Sequence, residues 1–264
     1  MTEDTQWQTS LDTDCPTCHG KGYVFYEDEN GYEFARPCTD CTAHRDKDIK
    51  HRLEIAQLPK LYENTTLKDL RTDVYQDQES KDTIKTAGKG VKWWLDNIND
   101  PKFEGKGLYL VSKAKGSGKT MCACAIANDL IRNKGKRVKY ITQNKILENI
   151  KASWDDKTRE GSEIVILNNL QKIDYLIIDE FGETRASDWV NEKFYSILNA
   201  RYEAKKPTIF TSNISLREAK TIGYDERIID RIAGTCGMIP FPNESVRKNN
   251  VSEFQMMMDA AMSG

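Results

Sequence analysis

Residues 107–120 read GLYLVSKAKGSGKT, and this stretch decides the fold. A short apolar strand runs into a glycine-rich loop and then into a helix, which is the context that a phosphate-binding P-loop requires. Glycines in the loop allow successive backbone N–H groups to face a phosphate, and the positive end of the helix points at the same anion. Lys119 is expected to contact the β- and γ-phosphates of a nucleotide, and Thr120 to offer a hydroxyl to Mg²⁺. The predicted phosphate-binding residues are Gly116, Ser117, Gly118, Lys119 and Thr120.

Lys113 departs from the P-loop pattern, because it stands where the pattern has its first glycine. We expect a side chain at this position to strain the start of the loop or to weaken nucleotide binding. The alternative is a glycine-rich turn that arose by chance. The strand before the loop and the helix after it disfavour that alternative.

A second motif lies downstream of the P-loop, where residues 175–180 read YLIIDE. An apolar strand of a parallel sheet carries the acids at its end to the sheet edge beside the P-loop. Asp179 is predicted to hold Mg²⁺ through water, and Glu180 to orient and polarise the attacking water. Acids often end strands at the protein surface, so this motif is informative because it follows a P-loop.

Strand-like and helix-like runs alternate from residue 107 onward, which predicts a parallel α/β sheet flanked by helices. A helix is also expected over residues 81–97, in which Trp93 and Trp94 are interpreted as packing residues rather than as platforms for nucleic-acid bases. The predicted strands cover 107–112, 137–142, 175–180 and 208–213, and the predicted helices cover 120–133, 143–154 and 188–203.

Two CxxC pairs, at positions 15–18 and 38–41, precede the sheet. Their spacing is typical of tetrahedral Zn²⁺ sites, and four thiolates would complete the coordination shell, so we predict a structural zinc. β-forming residues flank the turn signal Glu29-Asn30-Gly31, as in the hairpin of a zinc ribbon. The alternatives are a chance spacing without metal, and a site in which His19 or His44 replaces one cysteine. The predicted zinc ligands are Cys15, Cys18, Cys38 and Cys41.

The composition disfavours membrane and secreted proteins and permits a protein that binds nucleic acid. No apolar run approaches the ~20 residues of a membrane span, and the first ten residues lack the pattern of a secretory signal, so we expect a cytoplasmic protein without a membrane partner. Residues 1–50 hold 11 acidic and 5 basic side chains, whereas the rest of the chain holds 30 acidic and 34 basic ones. This small basic excess permits a nucleic-acid surface without requiring one. Three further cysteines, Cys122, Cys124 and Cys236, are interpreted as small buried residues.

With these motifs in place, the sequence resembles the DnaC, DnaI and IstB family of AAA+ ATPases, which comprises helicase loaders of bacteria and phages and transposition helper ATPases. Residues 58–66, LPKLYENTT, are similar to the start of the family's ATPase domain, and residues 208–213, TIFTSN, to its sensor strand. Because the sequence after Arg231 is short, we expect no C-terminal helical lid. The expected organisation is a disordered lead-in (1–14), a zinc-binding module (15–43), a linker or solvated helix (44–57) and the AAA+ domain (58–264).

The resemblance implies roles for three more residues. Asn213 corresponds to the sensor that contacts the γ-phosphate or the attacking water. Residues 225–232, DERIIDRI, are similar to the family's box VII helix, so Arg231 is the candidate arginine finger for the ATP of a neighbouring subunit, which implies self-assembly. Without the family, two arginines four residues apart beside acids would predict ordinary surface ion pairs. Arg247 corresponds to a second sensor arginine.

The resemblance implies a helicase loader, an ATP-controlled adaptor that binds a hexameric replicative DNA helicase through its zinc module and helps to place it on single-stranded DNA. Hydrolysis would act as a switch between two interface geometries. One alternative is an IstB-like transposition helper ATPase, against which the zinc module speaks. Another is a nucleotide-binding adaptor that does not hydrolyse ATP.

Single-stranded DNA is expected, by the same resemblance, to contact the predicted helix over 143–154. Cations for the DNA backbone and aromatic faces for the bases are the combination that sequence-tolerant binding uses. The equal alternative is an ordinary amphipathic helix with a core stripe of Ile146, Leu147 and Ile150 and a solvated lysine face. The candidate contact residues are Lys139, Tyr140, Lys145, Lys151 and Trp154.

Overall fold

The chain divides into two compact units, Met1–Ile55 and Ala56–Gly264. The computed structural model describes residues 15–27, 31–154 and 162–262, with the backbone alone for 248–254. The expected lead-in over 1–14 lies outside the described residues, as do Glu29 and Asn30 of the predicted turn.

The smaller unit contains the predicted hairpin. Strands β1 (Tyr23–Glu27) and β2 (Glu33–Pro37) pair antiparallel, and helix α1 (Ala43–Ala56) follows them. Helix α1 therefore covers most of residues 44–57, for which the sequence leaves a linker or a solvated helix open. Gly22 precedes β1 with φ +79°, and a Cβ there would come within 2.5 Å of the His44 backbone nitrogen, so only glycine fits.

The larger unit contains a five-stranded parallel sheet in the order β4-β5-β6-β3-β7. This topology confirms the predicted α/β class. Strand β7, at one edge, has no counterpart among the predicted strands, because its glycine and its terminal proline weaken the strand pattern. The strands are β3 (Gly107–Val111), β4 (Val138–Thr142), β5 (Tyr175–Phe181), β6 (Thr208–Ser212) and β7 (Cys236–Pro240).

Helices flank and connect the strands of the sheet, and five of them begin at a residue whose side chain accepts a hydrogen bond from the first helical turn: Asp77 for α2, Thr142 for α4, Ser187 for α6, Ser215 for α7 and Asp225 for α8. Within the described residues, a single helix, α9, follows β7, and no helix combines the length and the apolar composition that crossing a bilayer requires. The helices are α2 (Gln78–Asn97), α3 (Lys119–Arg132), α4 (Gln143–Ala152), α5 (Glu163–Lys172), α6 (Asp188–Glu203), α7 (Leu216–Thr221), α8 (Glu226–Thr235) and α9 (Val246–Met262), with short 3₁₀ helices at Lys60–Tyr62, Leu67–Asp69 and Pro101–Phe103.

The two adjacent tryptophans of α2 differ in their surroundings. Trp94 is buried and donates its indole N–H to the Lys106 carbonyl at 3.0 Å, as expected of a packing residue. Trp93 packs edge-on against Phe103 but remains 56% exposed, so it packs at the surface rather than in the core. Successive helical residues are about 100° apart around the axis, so one face of α2 cannot bury both rings.

Arg201 of α6 is a fully buried cation that the sequence does not reveal. Its guanidinium donates to the carbonyls of Leu170, Ile173 and Pro207 and to the hydroxyl of Thr208. Burial lowers the pKa of this side chain to about 9. By these bonds Arg201 joins the end of α5 to the start of β6, since both segments present carbonyl groups that need a donor.

Candidate functional site

The P-loop connects β3 to α3 at the carboxyl edge of the sheet. Gly116 and Gly118 have left-handed backbone, with φ of 79° and 89°, which glycine adopts without strain. A Cβ at Gly116 would lie 2.7 Å from the Ser245 hydroxyl. The loop therefore requires glycine at this position both for its backbone angle and for the close approach of Ser245.

Lys119 is the first residue of α3, and its side chain is buried. Its ammonium group donates to the Ala114 carbonyl at 2.9 Å and the Ser112 carbonyl at 3.2 Å, and lies 3.1 Å from the Ser117 hydroxyl. Burial lowers the pKa of Lys119 to about 8, and the nearby Asp179 partly opposes that shift. The ammonium is thus held within the loop at a cost that an anionic ligand would relieve.

Asp179 lies near the end of β5, and three hydroxyl groups surround its carboxylate. Thr120 donates to both carboxylate oxygens at 3.1 and 3.2 Å, and Thr211 and Tyr140 donate to one oxygen each. The Thr120 hydroxyl and the Asp179 carboxylate are adjacent oxygen ligands of the kind that Mg²⁺ accepts while it keeps most of its water. These residues therefore fit the predicted magnesium site.

Tyr140 was expected as a candidate DNA contact, and the structure contradicts this assignment. Its ring is buried in β4 and its hydroxyl bonds Asp179, so it belongs to the acid cluster beside the P-loop. Burial raises the pKa of this phenol far above its usual range, with the Asp179 charge adding to the shift. Side chains alternate along a strand, and Tyr140 points to the face opposite that of its neighbour Lys139.

Glu180 follows Asp179 in an unusual backbone conformation. Its φ is +60°, and the pairing of β5 with β6 shifts register between Ile178 and Phe181. The Glu180 N–H donates to the Thr211 hydroxyl at 3.0 Å, which holds the bulge in place. Partial removal from water raises the pKa of Glu180, and the negative charges of Glu183 and Asp179 add to this effect. Strained backbone of this kind is concentrated at functional sites.

A cavity of about 340 Å³ joins these elements. The P-loop forms one wall, and Glu180, Asn213 and Arg247 line the same space. Arg247 is the second residue of α9, whose first residue, Val246, donates its N–H to the Gly116 carbonyl at 3.0 Å. The structure therefore brings together the predicted phosphate-binding residues, the candidate water-orienting acid and the two candidate sensors.

A further wall of this cavity comes from the segment before α2. Tyr75 donates its hydroxyl to the Ser117 carbonyl at 3.1 Å, and burial raises its pKa to about 12. Residues 58–66 resemble the start of the family's ATPase domain, but the sequence alone predicts no site residue in this segment. A contact between segments so far apart in the chain leaves no periodic signal in the sequence, so only the fold reveals this wall. The lining residues from this segment are Leu61, Tyr62, Asp69, Arg71, Val74 and Tyr75.

Lys113, at the position of the missing glycine, is accommodated without strain. It is not among the described residues with left-handed backbone. Its N–H donates to the Asn243 side chain at 3.1 Å, and its exposed ammonium lies 3.6 Å from Glu218. The expectation of strain at the start of the loop is therefore wrong, because this position does not require positive φ.

Arg231 lies apart from the cavity of its own chain. Its guanidinium donates to the Asn199 side chain at 3.0 and 3.2 Å and stacks 4.2 Å from the centre of the Tyr202 ring. Arg227, one turn earlier, forms the ordinary ion pair with Asp225 that the helix pattern predicts. Arg231 makes no such pair within the described residues.

The four predicted zinc ligands form one cluster in the smaller unit. Their sulfur atoms all lie within 4.8 Å of one another, with 3.8 Å between Cys15 and Cys38 and 3.4 Å between Cys18 and Cys41. Four sulfurs at about 2.3 Å from a tetrahedral Zn²⁺ would be about 3.8 Å apart, so the cluster fits this ion. Neither His19 nor His44 belongs to the group, and Cys122, Cys124 and Cys236 are buried elsewhere, as expected.

Fold and site together define an ATP-binding P-loop protein of the AAA+ type. Residues 41–254 match the family described as IstB-like ATP binding protein, and the chain belongs to this family. The resemblance stated from the sequence is thereby confirmed.

Relatives of known name agree with this assignment. XkdC of the phage-like element PBSX of Bacillus subtilis (strain 168) is 27% identical over 228 residues, covering 84% of this chain and 79% of XkdC. The replicative helicase loader DnaC of Escherichia coli (strain K12) is 32% identical over 173 residues, covering 65% of this chain and 64% of DnaC. A crystal structure of the DnaC helicase loader superposes with a TM-score of 0.56 and 25% identity, covering 70% of this chain and 100% of that structure.

Proposed function

We propose that the protein is an ATP-dependent loader of a replicative DNA helicase that acts in the cytoplasm. The observation that carries this proposal is the single cavity lined by the P-loop, Glu180, Asn213 and Arg247 in a chain similar to helicase loaders. ATP would place its phosphates against the P-loop backbone and Lys119. The wall that includes Tyr75 is then left for the base and sugar.

Hydrolysis is assigned to residues at and beside the phosphate-binding cavity. Thr120 and Asp179 would hold Mg²⁺, which neutralises charge on the phosphates. Glu180 would orient and polarise the attacking water, and the removal from water that raises its pKa makes it a stronger proton acceptor than an exposed carboxylate. Asn213 and Arg247, which line the same cavity, would contact the γ-phosphate or the water.

Arg231 is proposed to complete the site of a neighbouring subunit. Its guanidinium is already desolvated on one side by Tyr202, which favours interaction with an anion over full hydration. Because Arg231 does not line the ATP cavity of its own chain, hydrolysis would depend on self-assembly. Loss of the γ-phosphate would then release the interface.

The zinc module is proposed to bind the helicase hexamer, and the ATPase unit to contact single-stranded DNA through α4. Ile146, Leu147 and Ile150 form the buried stripe of α4, so its opposite face is free for DNA. On that face Lys145 pairs with Glu148, and Lys151 lies 5.3 Å from the centre of the Trp189 ring. Trp154, 60% exposed, follows the helix.

The similarity to IstB-like proteins supports a second candidate, a helper ATPase for transposition. One experiment separates the two functions. The purified chain is mixed with the replicative helicase of its host, and complex formation is measured by size-exclusion chromatography with ATP present. A stoichiometric complex supports the loader. If the chain binds no helicase but stimulates a transposase on its DNA, the second function is correct.

A further inference from the structure

The outer half of the zinc hairpin carries large aromatic side chains that the smaller unit does not bury. Phe25 is 63% exposed, Tyr26 50% and Phe34 45%. Single exposed apolar residues are common, but three exposed aromatic rings close together at one end of a short hairpin are the kind of apolar surface that marks an interaction site.

The hairpin register assigns these rings to both faces of the ribbon. Tyr26 stands opposite Phe34, and their rings stack with centroids 5.6 Å apart, while Phe25 stands opposite Ala35 on the other face. Val24 packs against the cysteine cluster at the inner end. The thiol cluster thus holds the inner end, and the outer rings remain available for a contact outside this unit.

Acidic side chains border the rings. Glu27 and Glu33 are directly opposite each other, and like charges in such cross-strand pairs are destabilising. Neither carboxylate forms an ion pair with any described residue. The sequence adds Asp28 and Glu29 between them. A cationic surface brought against this end of the hairpin would relieve the repulsion.

We propose that Phe25, Tyr26 and Phe34, bordered by Glu27 and Glu33, form the docking surface for a protein that offers an apolar cleft edged by Lys or Arg. This inference rests on the proposed function, which makes that protein the helicase. Single-stranded DNA could also stack on aromatic rings, but its phosphates would be repelled by the acids. A second copy of the chain would bring two acidic ends together, which disfavours self-association through this surface.

The test uses the 264-residue chain and the helicase hexamer of its host, with affinity measured by biolayer interferometry. We expect the double change Phe25→Ala with Phe34→Ala to weaken binding by about tenfold or more, because aromatic anchors dominate protein interfaces. Ile164→Ala, which removes a 72% exposed apolar side chain of the larger unit, should leave the affinity unchanged. Zinc content, measured on every variant, should stay at one ion per chain.

Charge reversal provides the second arm. Glu27→Lys with Glu33→Lys should weaken binding at low salt by about tenfold or more and reduce its dependence on salt, since steering by opposite charge is lost. Unchanged affinity in both double variants, with zinc retained, overturns the docking surface while the loader function stands. The docking surface is also wrong if the double change Phe25→Ala with Phe34→Ala weakens DNA binding or self-association but leaves helicase affinity unchanged. If the parent chain itself binds no helicase, the proposed loader function is wrong, and the docking surface proposed for the helicase is wrong with it.

Discussion

The ATP cavity and the hairpin beside the four-cysteine cluster are stabilised in different ways. Beneath the cavity, the sheet buries a large apolar cluster that includes Ile178, Phe181, Phe194 and Phe210. In the hairpin unit, the corresponding cluster consists of the cysteines and Val24. The first region therefore has a core that does not depend on its ligand, whereas the described residues of the second form only this small cluster, so we predict that its fold depends on metal.

The same contrast applies to polar groups. The carboxylate of Asp179 and the ammonium of Lys119 are hydrogen-bonded within the larger unit. At the outer end of the hairpin, rings and carboxylates lie at the surface without such partners among the described residues. This difference indicates that the cavity is preformed for a small ligand and that the hairpin is suited to a macromolecular partner.

Removal of a zinc ligand should produce the largest effect. Cys18→Ser or Cys38→Ser is expected to abolish zinc binding and the fold of residues 15–41, because structural zinc supplies about 10 kcal/mol or more of folding free energy. ATP affinity should be unchanged, since the larger unit has its own core. Metal analysis, near-UV circular dichroism and nucleotide titration measure these properties. As a matched control, Cys236→Ala should keep its zinc. Full zinc content in Cys18→Ser would contradict the assignment of the ligands.

The P-loop lysine should dominate nucleotide binding. Lys119→Ala is expected to weaken ATP binding by about 100-fold or more, because a charged hydrogen-bond donor to the phosphates is removed from a buried position. Lys113→Ala, at the exposed start of the same loop, should change the affinity by less than about threefold. Isothermal titration with a non-hydrolysable ATP analogue measures both variants. Equal losses in the two variants would show that general loop charge, rather than Lys119, binds the phosphates.

The acid on the bulge should affect turnover but not binding. Glu180→Gln is expected to keep ATP affinity and to lower the hydrolysis rate by about 100-fold, since the carboxylate contacts only the attacking water. Glu183→Gln serves as the control, because Glu183 pairs with Lys115 and is not among the residues that line the cavity. A phosphate-release assay at saturating ATP gives the rates. If Glu180→Gln turns over at the parent rate, another residue is the base.

The affinity for ATP should fall as the pH rises above about 8, the pKa of Lys119 in the free chain. Bound phosphates favour the ammonium, so above this pH binding requires uptake of a proton, and affinity falls by up to about tenfold per pH unit. Lys119→Arg keeps its charge throughout this range, so its affinity should lack this dependence. Parallel pH profiles of the two proteins would rule out Lys119 as the titrating group.

Changes on α4 should have the smallest effect. Lys145→Ala with Lys151→Ala is expected to weaken single-stranded DNA binding several-fold and to flatten its salt dependence, because each lost phosphate contact removes a released counterion. ATP affinity should not change. Fluorescence anisotropy with an oligonucleotide at several salt concentrations measures both quantities. Lys85→Ala with Lys89→Ala, on an exposed face of α2, is the matched control. An unchanged salt slope in the α4 variant would move the DNA surface elsewhere.

The sequence predicts the sheet and the phosphate site well, because both depend on local patterns. The P-loop context of Lys119, the acids that end an apolar strand and the spacing of the cysteine pairs each specify chemistry within a short segment. Helix α6 has the predicted bounds, residues 188–203, since Ser187 caps it and a buried strand follows.

The remaining features depend on contacts between distant segments. Tyr140 is an aromatic residue next to a lysine, a combination that suits DNA binding. The fold instead brings its hydroxyl to Asp179, on the neighbouring strand of the sheet. Tyr75 reaches the P-loop across a helix and a strand. The buried charge of Arg201 goes unrecognised because its partners are carbonyl groups, which every residue has. Sequence patterns record which face of an element is apolar, but not which groups meet across the core.

The most direct test of an ATP-controlled adaptor is the transfer of helicase hexamers to closed circular single-stranded DNA, measured as helicase that co-sediments with the circle. A closed circle cannot thread through a closed ring, so stable association requires a loader. We predict transfer with the parent chain and ATP, and loss of transfer with Cys18→Ser or Lys119→Ala. Equal amounts of helicase on the circle with the parent chain, with either variant and without the chain would contradict the account.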